Sequence, residues 1–172
     1  MAEVILVTGG ARSGKSKEAL RLAEKFCRRV LIATAEITDE EMRRRIERHQ
    51  KERSPDWETV EAPRNLAEAI SQITDPEAVV VVDCLTVWLG NLMHYDNAIT
   101  EDSRPCLDLL EALRTSGAAR VILVTNEVGM GIVPENELSR RFRDVAGRLN
   151  QRVAEIADGV ILSVCGLTLQ IK

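Results

Sequence analysis

The fold of this chain can be read outward from one octapeptide, Gly9-Gly10-Ala11-Arg12-Ser13-Gly14-Lys15-Ser16. It fits G-x-x-x-x-G-K-[ST], the pattern of a phosphate-binding P-loop. The apolar run Val4–Thr8 comes before it and is typical of a buried strand. Lys17–Arg28 comes after it and has apolar residues at helical spacing. Strand, loop and helix in this order are the context that the motif requires.

The residue types of this loop match phosphate chemistry. Glycines let the backbone curl so that its N–H groups point inward, and the following helix N-terminus adds partial positive charge. Lys15 is expected to reach the β- and γ-phosphates, and the Ser16 hydroxyl is expected to ligate Mg²⁺. The alternative is a glycine-rich turn without a ligand.

Composition limits the possible classes of protein. The 172 residues favour one domain, residues 1–172, and the hydrophobic and charged shares of 45% and 29% are ordinary for a globular protein. A net charge of -4 argues against a nucleic-acid-binding surface. No apolar run approaches a membrane span, and no signal peptide is visible, so we expect a cytoplasmic protein. The four scattered cysteines lack metal-ligand spacing and are expected to be reduced thiols.

Two further strand ends carry candidate ligand residues. The buried strand Val30–Thr34 places Ala33-Thr34-Ala35 at a carboxyl end, where α/β proteins bind ligands. The run Ala78–Asp83 contains four valines and ends in an acid. This is the Walker-B pattern, in which a buried strand delivers a carboxylate near Mg²⁺. The alternative for Asp83 is an ordinary loop-start aspartate.

A capping box, Thr38 to Glu41, predicts a helix that runs to about Arg53. His49 shares one face of this helix with Met42, Ile46 and Arg53. The chain has two histidines. The second, His94, is expected to be structural, near the end of an apolar helix over Cys84–Met93.

The rest of the chain alternates strands and helices. We predict a short strand over 57–61, helices over 66–73 and 107–113 with Thr100 as a candidate N-cap, and a strand over 121–125. A glycine-containing loop, 126–134, is either a shaped segment at the binding edge or a simple connection.

A helix over 135–157 follows, with one apolar face formed by Leu138, Phe142, Val145, Leu149, Val153 and Ile156. Strands over 160–164 and 167–171 are joined by a turn too short for a parallel crossover. The prediction is a three-layer α/β sandwich, a mostly parallel sheet with an antiparallel C-terminal strand.

Several blocks of sequence together resemble one family. They are GGARSGKS, IATA, RRRIERHQKER, VVDCLT and VTNEVGMGIVPENELSRRFRDVAGRLNQR. In this order they are similar to the bifunctional adenosylcobinamide kinase/adenosylcobinamide-phosphate guanylyltransferase family of cobalamin synthesis. The resemblance covers nearly the whole chain.

The resemblance implies two reactions. ATP or GTP phosphorylates adenosylcobinamide, and GTP then transfers GMP to that phosphate through a GMP-histidine intermediate, releasing pyrophosphate. The matching histidine is His49. Gly9 to Ser16 would hold phosphates. A homo-oligomer, with a trimer as the expected form, is also implied.

The resemblance also implies which residues line the guanine nucleotide: Ala33, Thr34 and Ala35, then Gln50, Lys51, Glu52 and Arg53. Glu61 and Asp83 are implied as further nucleotide contacts. Asp83 stands where some relatives carry Glu. Gln50, Lys51 and Glu52 vary in type, so backbone contact at most is expected there.

Two other functions stay open from the sequence. One is a P-loop kinase for another small molecule, without nucleotidyl transfer. The other is a nucleotide-dependent switch or motor ATPase without a small-molecule acceptor.

Overall fold

The computed structural model describes residues 1–36 and 56–172. The described strands are β1 (Glu3–Gly9), β2 (Arg28–Ala33), β3 (Trp57–Glu61), β4 (Ala78–Asp83), β5 (Arg120–Asn126), β6 (Gly159–Val164) and β7 (Leu167–Gln170). The described helices are α1 (Lys15–Ala23), α2 (Leu66–Ser71), α3 (Leu85–Tyr95), α4 (Arg104–Thr115) and α5 (Glu137–Ile156).

The seven strands form one sheet in the order β3-β2-β4-β5-β1-β6-β7. All neighbouring pairs are parallel except β6–β7, which is antiparallel. This confirms the predicted mostly parallel sheet with an antiparallel C-terminal strand. The order places β4 and β5 between β1 and β2, although β1 and β2 are consecutive in the chain.

Two buried cores lie on the two faces of the sheet, because successive strand residues point to opposite faces. The valines of β4 divide in this way: Val80 and Val82 join one core, and Val79 and Val81 join the other. Residues of α2, α3, α4 and α5 pack in the first core, and Ala19 and Ala23 of α1 pack in the second. Helices therefore cover both faces, which confirms the three-layer sandwich.

Some predicted element boundaries were wrong. The first helix begins at Lys15, directly after Gly14 in the left-handed conformation, and ends at Ala23. Arg28, predicted to end this helix, is the first residue of β2. Thr100 is not a helix N-cap: α4 follows Ser103, and the Thr100 N–H donates to the Ser103 hydroxyl at 2.8 Å.

The predicted apolar face of α5 is only partly buried. Val145, Leu149 and Val153 lie in the core, and Phe142 packs against it. Leu138, however, is 54% exposed. It lies in the first turn of α5, just after an exposed loop, so helical periodicity alone overstated the buried length of this helix.

Among residues 1–36 and 56–172, no helix has the length and apolar character needed to cross a bilayer.

Candidate nucleotide-binding site

The P-loop follows β1 and takes a shape that its glycines permit. Gly14 has φ 101°, in the left-handed region that favours glycine. A Cβ at Gly9 would lie 2.3 Å from the Ser163 carbonyl oxygen and 2.6 Å from the Ser13 hydroxyl. Both positions therefore require glycine, one for backbone conformation and one for space. Arg12 also has a positive φ, 56°, so the loop holds a non-glycine residue in the left-handed region.

Charge and polar groups converge on this loop. The Lys15 ammonium donates to the Gly10 carbonyl at 2.8 Å, so the side chain lies back across the loop. Lys15 is 8% exposed, and Ser16 is half-buried. The buried Ser13 hydroxyl has no hydrogen-bond partner among the described residues. A buried cation and an unpartnered hydroxyl beside a helix N-terminus suit a phosphate.

The other predicted site residues lie at the same edge of the sheet, at the carboxyl ends of the parallel strands. Ala33 pairs with Asp83 on one side and with Glu61 on the other. Asp83 and Ala35 are half-buried, and Glu61 is exposed. These residues form a continuous row over β3, β2 and β4.

One strand separates this row from the P-loop. In the strand register, Asp83 pairs with Val124 of β5, and Val124 pairs with Val7 of β1. With about 4.8 Å between neighbouring strands, Asp83 stands roughly 10 Å to the side of the P-loop strand. The site is thus an extended row of strand ends, and β5 forms its middle.

Thr34 occupies the row but points inward. It is 0% exposed. Its hydroxyl accepts from the Cys84 N–H at 2.8 Å and donates to the Cys84 carbonyl at 2.9 Å. Its carbonyl accepts from the Asn91 side chain at 2.7 Å. The Thr34 side chain therefore joins the end of β2 to the start of α3.

Mg²⁺ is the metal that the P-loop and Walker-B patterns predict, and the residues present suit it. Ser16 supplies a hydroxyl and Asp83 a carboxylate, which are the oxygen ligands that Mg²⁺ prefers. Among the described residues, no group of three or more His, Cys, Asp or Glu could hold a metal ion.

The structure places further residues in the site that sequence reasoning did not single out. Glu127 follows β5, and its N–H donates to the Gly9 carbonyl at 2.9 Å. It is half-buried and lies between the P-loop and Asp83 in the strand order. The signal for Glu127 in the sequence was its position at the start of the 126–134 loop, just after a buried strand.

A chain of hydrogen bonds supports the end of β5. The Asn126 N–H donates to the Thr86 hydroxyl at 2.7 Å, which lies 3.2 Å from the Thr125 hydroxyl. The Thr125 hydroxyl in turn donates to the Asn150 side chain of α5 at 2.9 Å. This chain links α3, β5 and α5 beneath the site. Because each partner comes from a distant part of the sequence, no local pattern predicted it.

The segment after β5 is exposed and carries apolar side chains. Met130 and Ile132 are 82% and 97% exposed. Arg140 of α5 holds the end of this loop by donating to the carbonyls of Pro134 and Glu135 at 3.0 and 2.5 Å. The loop follows a strand carboxyl end, so it borders the row of site residues.

The predicted nucleophile and its neighbours fall outside the described residues. These are His49, Gln50, Lys51, Glu52 and Arg53, together with the capping box from Thr38 to Glu41. Their roles stay predictions. The other histidine, His94, is exposed in the last turn of α3, with its ring edge-on to Tyr95.

The match to known sequences covers nearly the whole chain. The sequence model of the family described as cobinamide kinase / cobinamide phosphate guanyltransferase matches residues 5–171. The bifunctional adenosylcobalamin biosynthesis protein CobU of Salmonella typhimurium is 43% identical, over 98% of this chain and 99% of that protein. The bifunctional adenosylcobalamin biosynthesis protein CobP of Pseudomonas aeruginosa is 44% identical, over 97% of this chain and 96% of that protein.

A solved structure matches at the level of fold. It is a prototypical ATPase from the type III secretion system of pathogenic bacteria, with a TM-score of 0.57 and 14% identity. The match covers 93% of this chain and 50% of that chain. At this identity it shows a common fold and nothing about substrate.

Proposed function

The chain belongs to the cobinamide kinase / cobinamide phosphate guanyltransferase family and is a bifunctional enzyme of that class, and from this premise we propose the course of its two reactions. It phosphorylates adenosylcobinamide with ATP or GTP. It then transfers GMP from GTP to that phosphate through a covalent histidine intermediate. The final products are adenosylcobinamide-GDP and pyrophosphate.

In the first reaction, a hydroxyl oxygen of the corrinoid attacks the γ-phosphorus, its proton is released to solvent, and the nucleoside diphosphate leaves. The backbone N–H groups of the P-loop bind the phosphates, and Lys15 offsets the charge that develops on them. The supporting observation is that Lys15 lies buried across the loop, within reach of the Gly10 carbonyl. A phosphate in the loop would replace that carbonyl as its partner.

In the second reaction, an imidazole nitrogen of His49 attacks the α-phosphorus of GTP and pyrophosphate leaves. A phosphate oxygen of the phosphorylated corrinoid then attacks the same phosphorus and releases the histidine. Neutral imidazole is a competent nucleophile near pH 7, and two displacements replace one difficult step. The support for His49 is its match to the family motif.

Mg²⁺, when bound, would neutralise charge on the phosphates, with Ser16 and Asp83 as its protein ligands. Ala33, Ala35 and Glu61 would lie toward the nucleoside, since they continue the row beyond Asp83. Thr34 would contribute by fixing the end of β2, because it is fully buried and its hydroxyl, N–H and carbonyl are all bonded within the protein. The homo-oligomer and the cytoplasmic location stay predictions.

The observation that carries the proposal is the P-loop geometry within a chain that matches the family over residues 5–171. The test is incubation with adenosylcobinamide, GTP and Mg²⁺, followed by mass analysis of the products. A corrinoid heavier by phosphate and then by GMP supports both reactions. A product that stops at the phosphate, with no protein-bound GMP, would contradict the second.

A parallel measurement separates the two other classes of function. The protein is labelled with GTP carrying ³²P at the α-position and treated with acid or alkali. Acid-labile and alkali-stable label indicates a phosphoramidate and excludes a simple kinase. Rapid GTP hydrolysis without corrinoid, and without label on the protein, would instead indicate a switch or motor ATPase.

A further inference from the structure

The carbonyl of Ser13, in the middle of the P-loop, is held by two donors from the far end of the chain. The Ser163 hydroxyl donates to it at 2.8 Å, and the Gly166 N–H donates to it at 2.9 Å. Ser163 lies near the end of β6 and is 1% exposed. Ser163 belongs to β6, and Gly166 belongs to the turn that joins β6 to β7.

This turn contacts the P-loop at its glycines as well. A Cβ on Gly14 would come 3.2 Å from the Gly166 Cα and 3.4 Å from the Ser163 hydroxyl oxygen. Cys165 and Gly166 have φ values of 53° and 78°. Two consecutive positive φ values are typical of a tight two-residue hairpin. The register Val164↔Leu167 fixes this hairpin against the loop.

The Ser13 carbonyl and the Gly14 N–H are parts of the same peptide unit. That peptide is trans, so the two bonds point in opposite directions. Two donors on the carbonyl therefore turn the Gly14 N–H away from Ser163 and Gly166. Gly14 directly precedes α1, and the first N–H groups of a helix have no acceptor within the helix.

We infer that Ser163 is a positioning residue for phosphate binding. With the Gly166 N–H, its hydroxyl fixes the Ser13–Gly14 peptide in the orientation that presents the Gly14 N–H to a phosphate. This inference rests on the proposed nucleotide-binding role of the P-loop. The role of Ser163 is indirect, since it acts through the peptide and does not itself contact the nucleotide.

The test compares variants at this hairpin by calorimetric titration with Mg-GTP and with Mg-triphosphate that carries no nucleoside. Ser163→Ala removes one of the two donors and should weaken binding of both ligands about tenfold. Ser163→Thr keeps a hydroxyl and should bind within about twofold of the wild type. Thr168→Ala changes the exposed residue that pairs with Ser163 across the hairpin, and it should leave both affinities unchanged.

The comparison separates positioning from a general effect on the hairpin. If Ser163→Ala binds both ligands as the wild type does, or if Thr168→Ala loses as much affinity, the inference is wrong. A loss confined to Mg-GTP would also overturn it, because the loop holds phosphates. Should Ser163→Ala not fold, Ser163→Cys takes its place. The cysteine thiol is a weaker donor than a hydroxyl, so this variant must bind both ligands more weakly than Ser163→Thr does. Equal affinities of the two variants overturn the inference. Wild-type protein that binds neither ligand would refute the proposed function as well.

Discussion

The hydroxyl of Thr34 and the backbone of Cys84 are joined by two hydrogen bonds. The hydroxyl accepts from the Cys84 N–H at 2.8 Å and donates to the Cys84 carbonyl at 2.9 Å. Cys84 directly follows Asp83 and precedes α3. Thr34 therefore fixes the backbone beside the carboxylate that we assign to Mg²⁺. Its burial shows that one residue predicted to line the nucleotide has its side chain committed to the protein interior.

Thr34→Val should destabilise the protein by about 2–4 kcal/mol, because it leaves a buried N–H and a buried carbonyl without this partner. Denaturant unfolding monitored by circular dichroism measures the difference. Thr34→Ser keeps the hydroxyl and serves as the control, with a loss well below that of the valine variant. Equal losses in the two variants would contradict the prediction, because valine keeps the methyl group and lacks the hydroxyl, whereas serine keeps the hydroxyl.

Lys15→Ala should reduce both phosphoryl and guanylyl transfer by at least about a hundredfold, since it removes the cation that stabilises charge on the phosphates. Steady-state rates with adenosylcobinamide and GTP check this expectation. Lys17→Ala is the control, because Lys17 is exposed on the same helix. Near-normal rates in a folded Lys15→Ala protein would refute the assignment.

Asp83→Asn keeps the shape of the side chain and removes its charge. It should weaken GTP binding in the presence of Mg²⁺ more than in its absence, because a neutral amide is a poorer ligand for a hard cation. Titration calorimetry with and without Mg²⁺ compares the two losses. Asp108→Asn alters a half-exposed carboxylate on α4 that is paired with Arg104, and it should change neither affinity. If Asp83→Asn loses the same affinity for GTP with and without Mg²⁺, Asp83 does not contact the metal.

His49→Ala should abolish the covalent GMP adduct and guanylyl transfer. Kinase activity with ATP should survive at least in part, because phosphoryl transfer needs the P-loop and Mg²⁺ but no histidine nucleophile. Peptide mapping of the labelled wild type locates the adduct, and His94→Ala is the matched control. Finding the GMP mass on His94 or on a lysine would contradict the assignment while leaving the reaction class intact.

The four cysteines should divide into two reactive and two protected thiols. Cys27 and Cys165 are exposed, whereas Cys84 and Cys106 are buried. Burial, with Asp83 nearby, raises the pKa of the Cys84 thiol, and burial raises that of Cys106 to about 11. Both buried thiols thus stay neutral and unreactive at pH 8. Iodoacetamide should modify two cysteines in the native protein and four after unfolding, as counted by mass. Rapid modification of Cys84 in the native protein would contradict its burial beside Asp83.

The sequence was sufficient for the P-loop, the fold class and the approximate position of each described strand. These features depend on local patterns: the glycine spacing of Gly9–Ser16, the continuous apolar runs of strands buried on both faces, and a turn at Gly166 too short for a parallel crossover. Ala78–Asp83 was predicted with its observed bounds for the same reason. Element ends were less certain, as at Arg28 and Thr100, because they depend on neighbours as well as on periodicity.

The tertiary structure alone decided how these pieces meet. It placed β5 between the P-loop strand and Asp83, which brought Glu127 beside Gly9. It also brought the Ser163 hydroxyl to the carbonyl of Ser13, 150 residues earlier in the chain. Strand order and such distant hydrogen bonds follow from which faces pack together across the whole sheet. Periodicity describes one element at a time, so it cannot specify them.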